Sequence, residues 1–515
     1  MRICHPVFDR SGRLRGKITV FLLLLHLSKN FTNSDLKDGT KSDKILWYSE
    51  IRAGRRRNMQ TTDERTLKNY KRMTETPVSR LVIALGIPTT ISMLITSIYN
   101  LADTYFVGTL GESAQGATGI LFTLQAIIQA FAFMLGHGSG AYVSKSLANK
   151  NRREASEYAS TAFFSGIGFG LLFMAVGLLF LSPFMRLLGS TETILPYACD
   201  YGFWVLLACP VQIGAMVLNN NLRYEGKAVF AMVGLTTGGI LNILLDYIFV
   251  RLLPLGVFGA GMATAISQAV SFTLLLVLYF VKSESRLSLR CISGKIAVYI
   301  AIAKNGFPSL VRQGLTSISG GVLNNLTKPF GDAAIAAMSV VNRYSMLVMC
   351  VGLGIGQGFQ PVASYNYEAR KYRRVKQGLL FTTFFGFILV GLLSLFGLFF
   401  PETVISIFQK SPEVIEIGAV ALRLSSIGVL FLPLSVPINM LYQSIRRADI
   451  ATFLSVLRSG VLLIPLLFIL SFAFGLLGIE AAQPLADILV GLISVPFIVH
   501  FLRVTPNENF DDNVK

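Results

Sequence analysis

Long apolar stretches recur along most of this chain. Between Leu81 and Leu502, about twelve segments of roughly 20 or more residues contain few charged side chains. Each segment is long enough to cross the ~30 Å hydrocarbon core of a bilayer as an α-helix. The composition agrees, because only 14% of the residues are charged, whereas soluble domains carry about 25%. The sequence therefore predicts an all-α integral membrane protein and argues against a soluble enzyme.

Basic residues are unevenly distributed among the predicted loops. The loops after even-numbered helices carry 17 Lys and Arg, whereas those after odd-numbered helices carry four. Because Lys and Arg are retained on the cytoplasmic side, both termini and all even-numbered loops are predicted to be cytoplasmic, in the cell (inner) membrane. The net charge of +18 then reflects topology. The expected partner is the lipid bilayer, and nucleic acid is not expected.

The N-terminal region differs from the rest of the chain. Residues 1–80 hold 18 Lys and Arg against eight Asp and Glu. Their only apolar run, residues 18–27, is too short to span a bilayer. We predict that residues 1–72 are a basic, disordered extension. A start codon assigned too far upstream, with the true start near Met59 or Met73, is the alternative.

The sequence also contains an internal repeat. A shift of 220 residues matches several segments without a gap: Gly86-Ile-Pro88 with Gly306-Phe-Pro308, and Gly136-His-Gly138 with Gly356-Gln-Gly358. Further along the chain, a shift of 223 matches Pro210 with Pro433. Helices 1–6 and 7–12 are therefore predicted to be two copies of a six-helix bundle with the same orientation, and the substrate site is predicted between them. The predicted boundaries are a first lobe at 73–290, a second lobe at 291–504 and a cytoplasmic tail at 505–515.

Few ionisable residues lie inside the predicted helices. Because each costs about 2.5–3.5 kcal/mol to insert, we treat them as functional candidates. At a rise of 1.5 Å per residue, Asp103 in helix 1, Asp246 in helix 5 and Thr264 in helix 6 lie at one level, roughly 7–11 Å below the outer surface. Asn100 precedes the first aspartate by three residues and Asn242 precedes the second by four, so each amide shares the helical face of its carboxylate.

This polar cluster allows two functions. Two carboxylates brought together out of water disfavour each other's charged form, so one of them can carry a proton. The same oxygens, joined by the Asn242 carbonyl and the Thr264 hydroxyl, can instead bind Na+. Hydrogen bonding between neighbouring helices is the structural alternative.

The second copy lacks the cluster, since Leu323 stands at the position of Asp103. Its polar exceptions are Arg312 in helix 7 and Asp487 in helix 12. We expect these two residues to pair as a structural salt bridge, or alternatively to polarise a substrate cavity. Arg458 in helix 11 is assigned no role.

Several classes of protein are excluded by what the sequence lacks. No phosphate-binding loop, nucleophile with a base or metal-ligand cluster is apparent, so neither an ATP-driven motor nor an enzyme is predicted. No cofactor or bound metal is expected apart from a coupling ion, H+ or Na+. The run Gly136 to Gly140 is interpreted as a site of close helix packing. Carboxylates in one copy alone argue against a channel with a symmetric selectivity ring.

Five segments then point to a family. They are Ile87-Pro-Thr-Thr-Ile-Ser-Met, Asn100-Leu-Ala-Asp-Thr-Tyr-Phe-Val-Gly108, Leu218-Asn-Asn-Asn-Leu-Arg-Tyr-Glu-Gly226, Gly239-Ile-Leu-Asn-Ile-Leu-Leu-Asp246 and Gly259-Ala-Gly-Met-Ala-Thr264. In this order, they resemble the multidrug and toxic compound extrusion (MATE) family, and the resemblance extends from about Met73 to Phe501. It implies two six-helix bundles arranged as a V around a central cavity. It also implies export of cationic amphipathic drugs or metabolites in exchange for protons or Na+.

The resemblance also implies site residues. Carried over by motif, the first-lobe cation site of the family falls on Asp103, Asn242, Asp246 and Thr264. Where some members carry a glutamate in helix 7, this sequence has Thr316, which favours the bacterial branch that couples through the first lobe, with protons preferred to Na+. Related flippases of lipid-linked saccharides share the architecture and are the alternative, for which Arg312 would suit a pyrophosphate. We expect a monomer.

Overall fold

The structure is a computed structural model that describes residue 64, residues 66–408 and residues 411–508. Most of the predicted extension at residues 1–72 therefore lies outside the described residues. Residues 66–75 form a helix, so the predicted boundary at residue 72 falls inside a helical segment. The buried side chain of Met73 belongs to the apolar core.

Twelve long helices follow one another in the described part of the chain, and we number them α1 to α12. They are α1 (Val78–Gly108), α2 (Glu112–Ala148), α3 (Arg152–Leu179), α4 (Leu195–Tyr224), α5 (Ala228–Leu252), α6 (Gly256–Lys282), α7 (Ile296–Thr327), α8 (Gly331–Glu368), α9 (Tyr372–Phe399), α10 (Pro412–Val429 and Leu432–Ser444), α11 (Ala448–Phe474) and α12 (Leu476–Val504). The two parts of α10 are bent by 47°. α5 and α11 each contain a π-helical turn, at Tyr247–Leu252 and Leu457–Leu462.

These helices confirm the prediction of an all-α membrane protein. Among the described residues, ten helices are long and apolar enough to cross a membrane, and the bent α10 makes up to eleven. The remaining long helix, α7, has 32 residues and carries Lys304 and Arg312. The protein is therefore a multi-pass membrane protein, and the cytoplasmic location of its termini stays a prediction.

The turns after equivalent helices repeat at a constant shift. Lys150 after α2 and Arg370 after α8 both adopt positive φ, 57° and 55°. Gly226 after α4 and Arg446 after α10 do the same, with φ of 78° and 65°. Each pair is 220 residues apart, so the turns of the two repeats match residue by residue.

One hydrogen bond shows that the same shift continues into α5 and α11. The Asn219 side chain donates to the Ala231 carbonyl at 2.9 Å, and Asn439 donates to the Ala451 carbonyl at 2.8 Å. Both partners are displaced by 220 residues. The predicted shift of 223 for this part of the chain is therefore wrong. Pro210 and Pro433, which suggested it, are not equivalent positions, because Pro210 lies inside α4 and Pro433 lies at the start of the second part of α10.

The first repeat (α1–α6) and the second repeat (α7–α12) meet at two equivalent crossings. α1 crosses α8 at Gly86 and Gly358, and α2 crosses α7 at Gly138 and Gly306. A Cβ atom on Gly306 would overlap the backbone of Met134, and one on Gly358 would overlap the backbone of Gly86. Only glycine permits this approach. The interpretation of the glycine-rich run in helix 2 as a packing motif is confirmed.

Candidate functional site

Polar side chains from four helices of the first repeat lie at one level. Asp103 is five residues before the end of α1, Tyr201 is six after the start of α4, and Thr264 is eight after the start of α6. At 1.5 Å per residue, these positions are roughly 8–12 Å from the helix ends. Asp246 on α5 directly precedes the π-helical turn, and Asn242 lies one turn earlier. We call these five residues the acidic cluster.

The uncharged members of the acidic cluster are joined by hydrogen bonds. The Asn242 amide donates to Thr264 Oγ1 at 3.3 Å, and the Tyr201 hydroxyl lies 3.1 Å from the same Thr264 oxygen. The Asp103 carboxylate of α1 is a close neighbour of the same Tyr201 hydroxyl. The hydroxyl of Tyr201 on α4 therefore bonds α6 and lies near the carboxylate of α1.

The remaining oxygens of the acidic cluster have no donor. Asp246 is 0% exposed, yet neither of its carboxylate oxygens has a hydrogen-bond partner in the described structure. Asp103 Oδ1 and Asn242 Oδ1 are likewise buried and unpartnered. Asp103 is also a close charged neighbour of Asp246. A fully buried carboxylate with no donor among the described residues does not stay charged beside a second carboxylate, so the geometry calls for a proton or a cation at this pair.

A small polar cavity borders the acidic cluster at Asn242. It offers about 30 Å³ to the centres of water molecules, which is room for roughly two waters. Its polar lining consists of Thr96, Tyr99, Gln129, Gln212, Asn242, Ser267, Gln268 and Ser271. Hydrated access to the acidic cluster is therefore compatible with the fold.

The structure thus brings Asp103, Asn242, Asp246 and Thr264 together as predicted, and their role stays a prediction. Asn100 differs, because its side chain makes no hydrogen bond to any described residue. Sequence reasoning missed Tyr201, although the depth argument that aligned the other residues would have found it on α4.

In the second repeat, the expected pairing of Arg312 with Asp487 is wrong. Asp487 accepts a hydrogen bond from Arg458 Nε at 2.8 Å and a second from Gln483 at 3.1 Å. The reason is that α12 packs directly against α11, which carries Arg458. Arg312 of α7 instead donates to two neutral oxygens, each at 3.3 Å.

A second unpredicted polar group lies where the repeats cross. Arg223 at the end of α4 is 3% exposed. Its guanidinium donates to Gln357 of α8 and, at 2.5 Å, to Asn220. Arg223 Nη2 also lies 2.8 Å from His137 Nε2 of α2. His137 and Gln357 are equivalent residues, 220 apart in the two glycine motifs, so one arginine binds the same position of both repeats.

These contacts determine the protonation of His137. Arginine only donates hydrogen bonds, so His137 Nε2 must accept one. The ring proton then lies on Nδ1, which is 2.9 Å from Ser309 Oγ of α7. His137 is therefore neutral and connects α2, α4 and α7 in one network.

Comparison with known protein families identifies the fold. The family model described as MatE matches residues 88–248 and 308–469. The two matches cover more than half of the chain, and they begin 220 residues apart, which is the shift of the repeat. This chain belongs to the MATE family. The predicted resemblance is confirmed, and MATE membership accounts for the duplicated six-helix architecture.

Two relatives and one solved structure illustrate how far the MATE likeness extends. "Multidrug export protein MepA" of Staphylococcus haemolyticus (strain JCSC1435) is 26% identical over 440 residues, which are 83% of this chain and 95% of that protein. The protein of the same name from Staphylococcus aureus (strain NCTC 8325 / PS 47) is 27% identical with the same coverage. A solved structure described as "Crystal structure of MATE in complex with MaL6" has a TM-score of 0.80 at 23% identity and covers 85% of this chain and 100% of that chain.

Proposed function

We propose that this MATE protein is a secondary active exporter that exchanges cationic amphipathic compounds for protons across the cell membrane. Its relatives are named as multidrug export proteins, which supports small-molecule export. The proposal places the basic loops and both termini in the cytoplasm, following the distribution of Lys and Arg. It requires no cofactor apart from the coupling ion, and the transporter acts as a monomer.

One observation carries the proposal. Asp246 is completely buried, has no hydrogen-bond donor within the described part of the chain and lies beside Asp103. Such a pair binds one positive charge strongly and a second one weakly, because the first neutralises the excess negative charge. A proton on the buried Asp246 and an organic cation near the partly exposed Asp103 therefore compete for the same negative charge. This competition is the physical basis of exchange.

We favour protons over Na+ for a steric reason. Asp103 is partly exposed, whereas Asp246 is fully buried behind it. A proton can pass from water to Asp246 by way of carboxyl, hydroxyl and water oxygens. A sodium ion would have to lose most of its water to reach the same oxygens. The four unpartnered oxygens of Asp103, Asn242 and Asp246 are suitable Na+ ligands, so Na+ is the alternative coupling ion.

A second function shares the fold. Flippases of lipid-linked saccharides carry anionic pyrophosphate, and Arg312 with Arg458 supplies positive charge in the second repeat. The acidic cluster opposes that function, because carboxylates repel a pyrophosphate. Cation export therefore explains more of the buried charges.

The test is transport of ethidium into proteoliposomes under an imposed proton gradient and, separately, an imposed Na+ gradient. The variants are Asp246→Asn and Asp103→Asn. The matched control is Asp200→Asn, because Asp200 is an exposed aspartate at the corresponding end of α4. Size-exclusion chromatography verifies that each variant is folded.

We expect the proton gradient to drive ethidium transport in the wild type and in Asp200→Asn, and not in Asp246→Asn. Full proton-driven transport by Asp246→Asn would contradict the proposed mechanism. Ethidium transport that is driven by the Na+ gradient and not by the proton gradient would identify Na+ as the coupling ion. If neither gradient moves ethidium in the folded wild type, the lipid-saccharide alternative is favoured.

A further inference from the structure

The two repeats contain cavities at equivalent positions. Each offers about 30 Å³ to the centres of water molecules. Five pairs of lining residues are related by the shift of 220: Ala215 and Ser435, Met216 and Val436, Leu235 and Ser455, Gly238 and Arg458, and Gly239 and Ser459. The two cavities are therefore one feature of the six-helix unit, present twice. We call them the first and the second cavity.

The two cavities have opposite electrostatic character. The first is lined by uncharged side chains and borders the carboxylates of Asp103 and Asp246 through Asn242. The second is lined by two arginines, Arg312 and Arg458. Equivalent positions in the same fold therefore offer a negative environment in one repeat and a positive one in the other.

Residue differences at equivalent positions of the two repeats produce this reversal of charge. Arg458 stands where the first repeat has Gly238, and Arg312 stands where it has Ser92. In the opposite direction, Leu323 replaces Asp103. The π-helical turn of α11 contains Arg458, whereas the turn of α5 directly follows Asp246. Because π-helical turns often occur at functional sites, their position beside the charged residue in each repeat is consistent with binding.

Arg312 retains unused hydrogen-bonding capacity. A guanidinium has five N–H donors, and Arg312 uses two of them on neutral acceptors, Asn439 Oδ1 and Ser309 Oγ, both at 3.3 Å. It makes no ion pair with any described carboxylate. Arg458 is already paired with Asp487 at 2.8 Å. The surplus positive charge of the second cavity therefore belongs to Arg312.

We infer that the second cavity is a binding site for a carboxylate of the transported molecule, with Arg312 as its ligand. A guanidinium can hold a carboxylate through two parallel hydrogen bonds. Space for roughly two water-sized groups suits the two oxygens of a carboxylate. The preferred substrates are therefore amphipathic zwitterions, which carry a carboxylate as well as the cationic group of the proposed export function. This inference rests on the proposed export function and specifies its substrate class.

Two dyes that differ in one group provide the test. Rhodamine 110 is a cation with a free carboxylate, and rhodamine 123 is its methyl ester. Gradient-driven transport of both dyes is measured in proteoliposomes, and the readout is the ratio of the KM for rhodamine 110 to that for rhodamine 123. The variants are Arg312→Gln and Arg312→Lys. The control is Arg423→Gln, which removes a charge of the second repeat from an exposed ion pair with Glu402.

Arg312→Gln is expected to raise the KM ratio about tenfold, the effect of losing one charge-assisted hydrogen-bond pair. Arg312→Lys keeps the charge and loses the paired geometry, so we expect a rise of about threefold. Arg423→Gln should leave the ratio unchanged. An unchanged ratio in both Arg312 variants, with rhodamine 123 still transported, would overturn the carboxylate site and leave the export function intact. If the wild type moves ethidium but neither rhodamine dye, the carboxylate site is overturned and the export function stands; if it moves none of the three, both proposals are overturned.

Discussion

Glu225 offers the strongest test of how the loops of the first repeat are held. Its carboxylate is 0% exposed and follows α4 outside the membrane-spanning segment. It accepts hydrogen bonds from the backbone N–H groups of Glu284 and Ser285 at 2.8 and 3.1 Å, and from the hydroxyls of Ser283 and Ser285 at 2.6 and 2.5 Å. Lys227 Nζ lies 2.8 Å away. One carboxylate therefore fastens the loop after α6 to the end of α4.

Glu225→Gln should reduce the free energy of unfolding by about 1–3 kcal/mol, the cost of leaving a buried donor without its acceptor. The substitution places an amide N–H group opposite existing donors and removes one of the two carboxylates that face Lys227, which keeps Glu284 at 3.1 Å. Glu192→Gln is the matched control, because it breaks an ion pair of similar length, 2.7 Å, in which the Arg186 and Glu192 side chains are 53% and 76% exposed. An exposed pair contributes at most about 1 kcal/mol.

Denaturant unfolding of the purified variants in detergent measures both effects. A loss of stability in Glu225→Gln no larger than that in Glu192→Gln would refute the reasoning. The dependence of stability on pH provides a second readout. Burial alone raises the pKa of Glu225, but Lys227 and the two serine hydroxyls outweigh burial and hold this pKa below its ordinary value.

A lowered folded-state pKa means that the folded protein binds the Glu225 proton more weakly than the unfolded chain does. The stabilisation is therefore complete above the ordinary glutamate pKa and is lost as the pH falls through the lower folded value. We expect the difference in stability between wild type and Glu225→Gln to shrink as the solution is acidified below about pH 4.5, the usual range for glutamate.

Two further predictions concern the helix crossings and the acidic cluster. Gly306→Val should prevent stable folding, because a side chain there would overlap the backbone of α2. The control is Gly314→Val on the same helix, where a side chain faces open space. Equal yields of monodisperse protein from the two variants would contradict this account of the crossing. Tyr201→Phe should lower proton-driven ethidium transport about tenfold, since it removes a hydroxyl that bonds Thr264 and lies near the Asp103 carboxylate. The control Tyr197→Phe changes a 40% exposed tyrosine on the same helix, and similar transport rates in both tyrosine variants would rule out a role for the Tyr201 hydroxyl.

The acidic cluster shows how far reasoning from the sequence extends. Helix direction and a fixed rise per residue were sufficient to place Asp103, Asp246 and Thr264 at one level, and the structure brings them together. The same reasoning applied to α4 would have added Tyr201. Depth is accessible from sequence because it follows from counting residues along a helix whose ends are marked by loops.

Pairing between helices was predicted less well. Arg312 and Asp487 were expected to form a salt bridge because both are charged residues inside the second repeat, yet Asp487 bonds Arg458. Arg223, which binds equivalent residues of both repeats, was not identified at all. These contacts depend on how each helix is rotated about its axis and on which helix is its neighbour. Mean hydropathy carries little information about either.

The sequence by itself determined the membrane class, the duplicated six-helix unit and the depth of the acidic cluster, because these follow from composition, from an internal repeat and from spacing along one helix. The family was indicated by the resemblance of five sequence segments. Only the tertiary structure decided the constant shift of 220, the close crossings at Gly138 and Gly306, and the partners of the buried arginines. It also revealed the two equivalent cavities of opposite charge. These features arise from packing between different helices, where one glycine or one arginine changes which groups can meet.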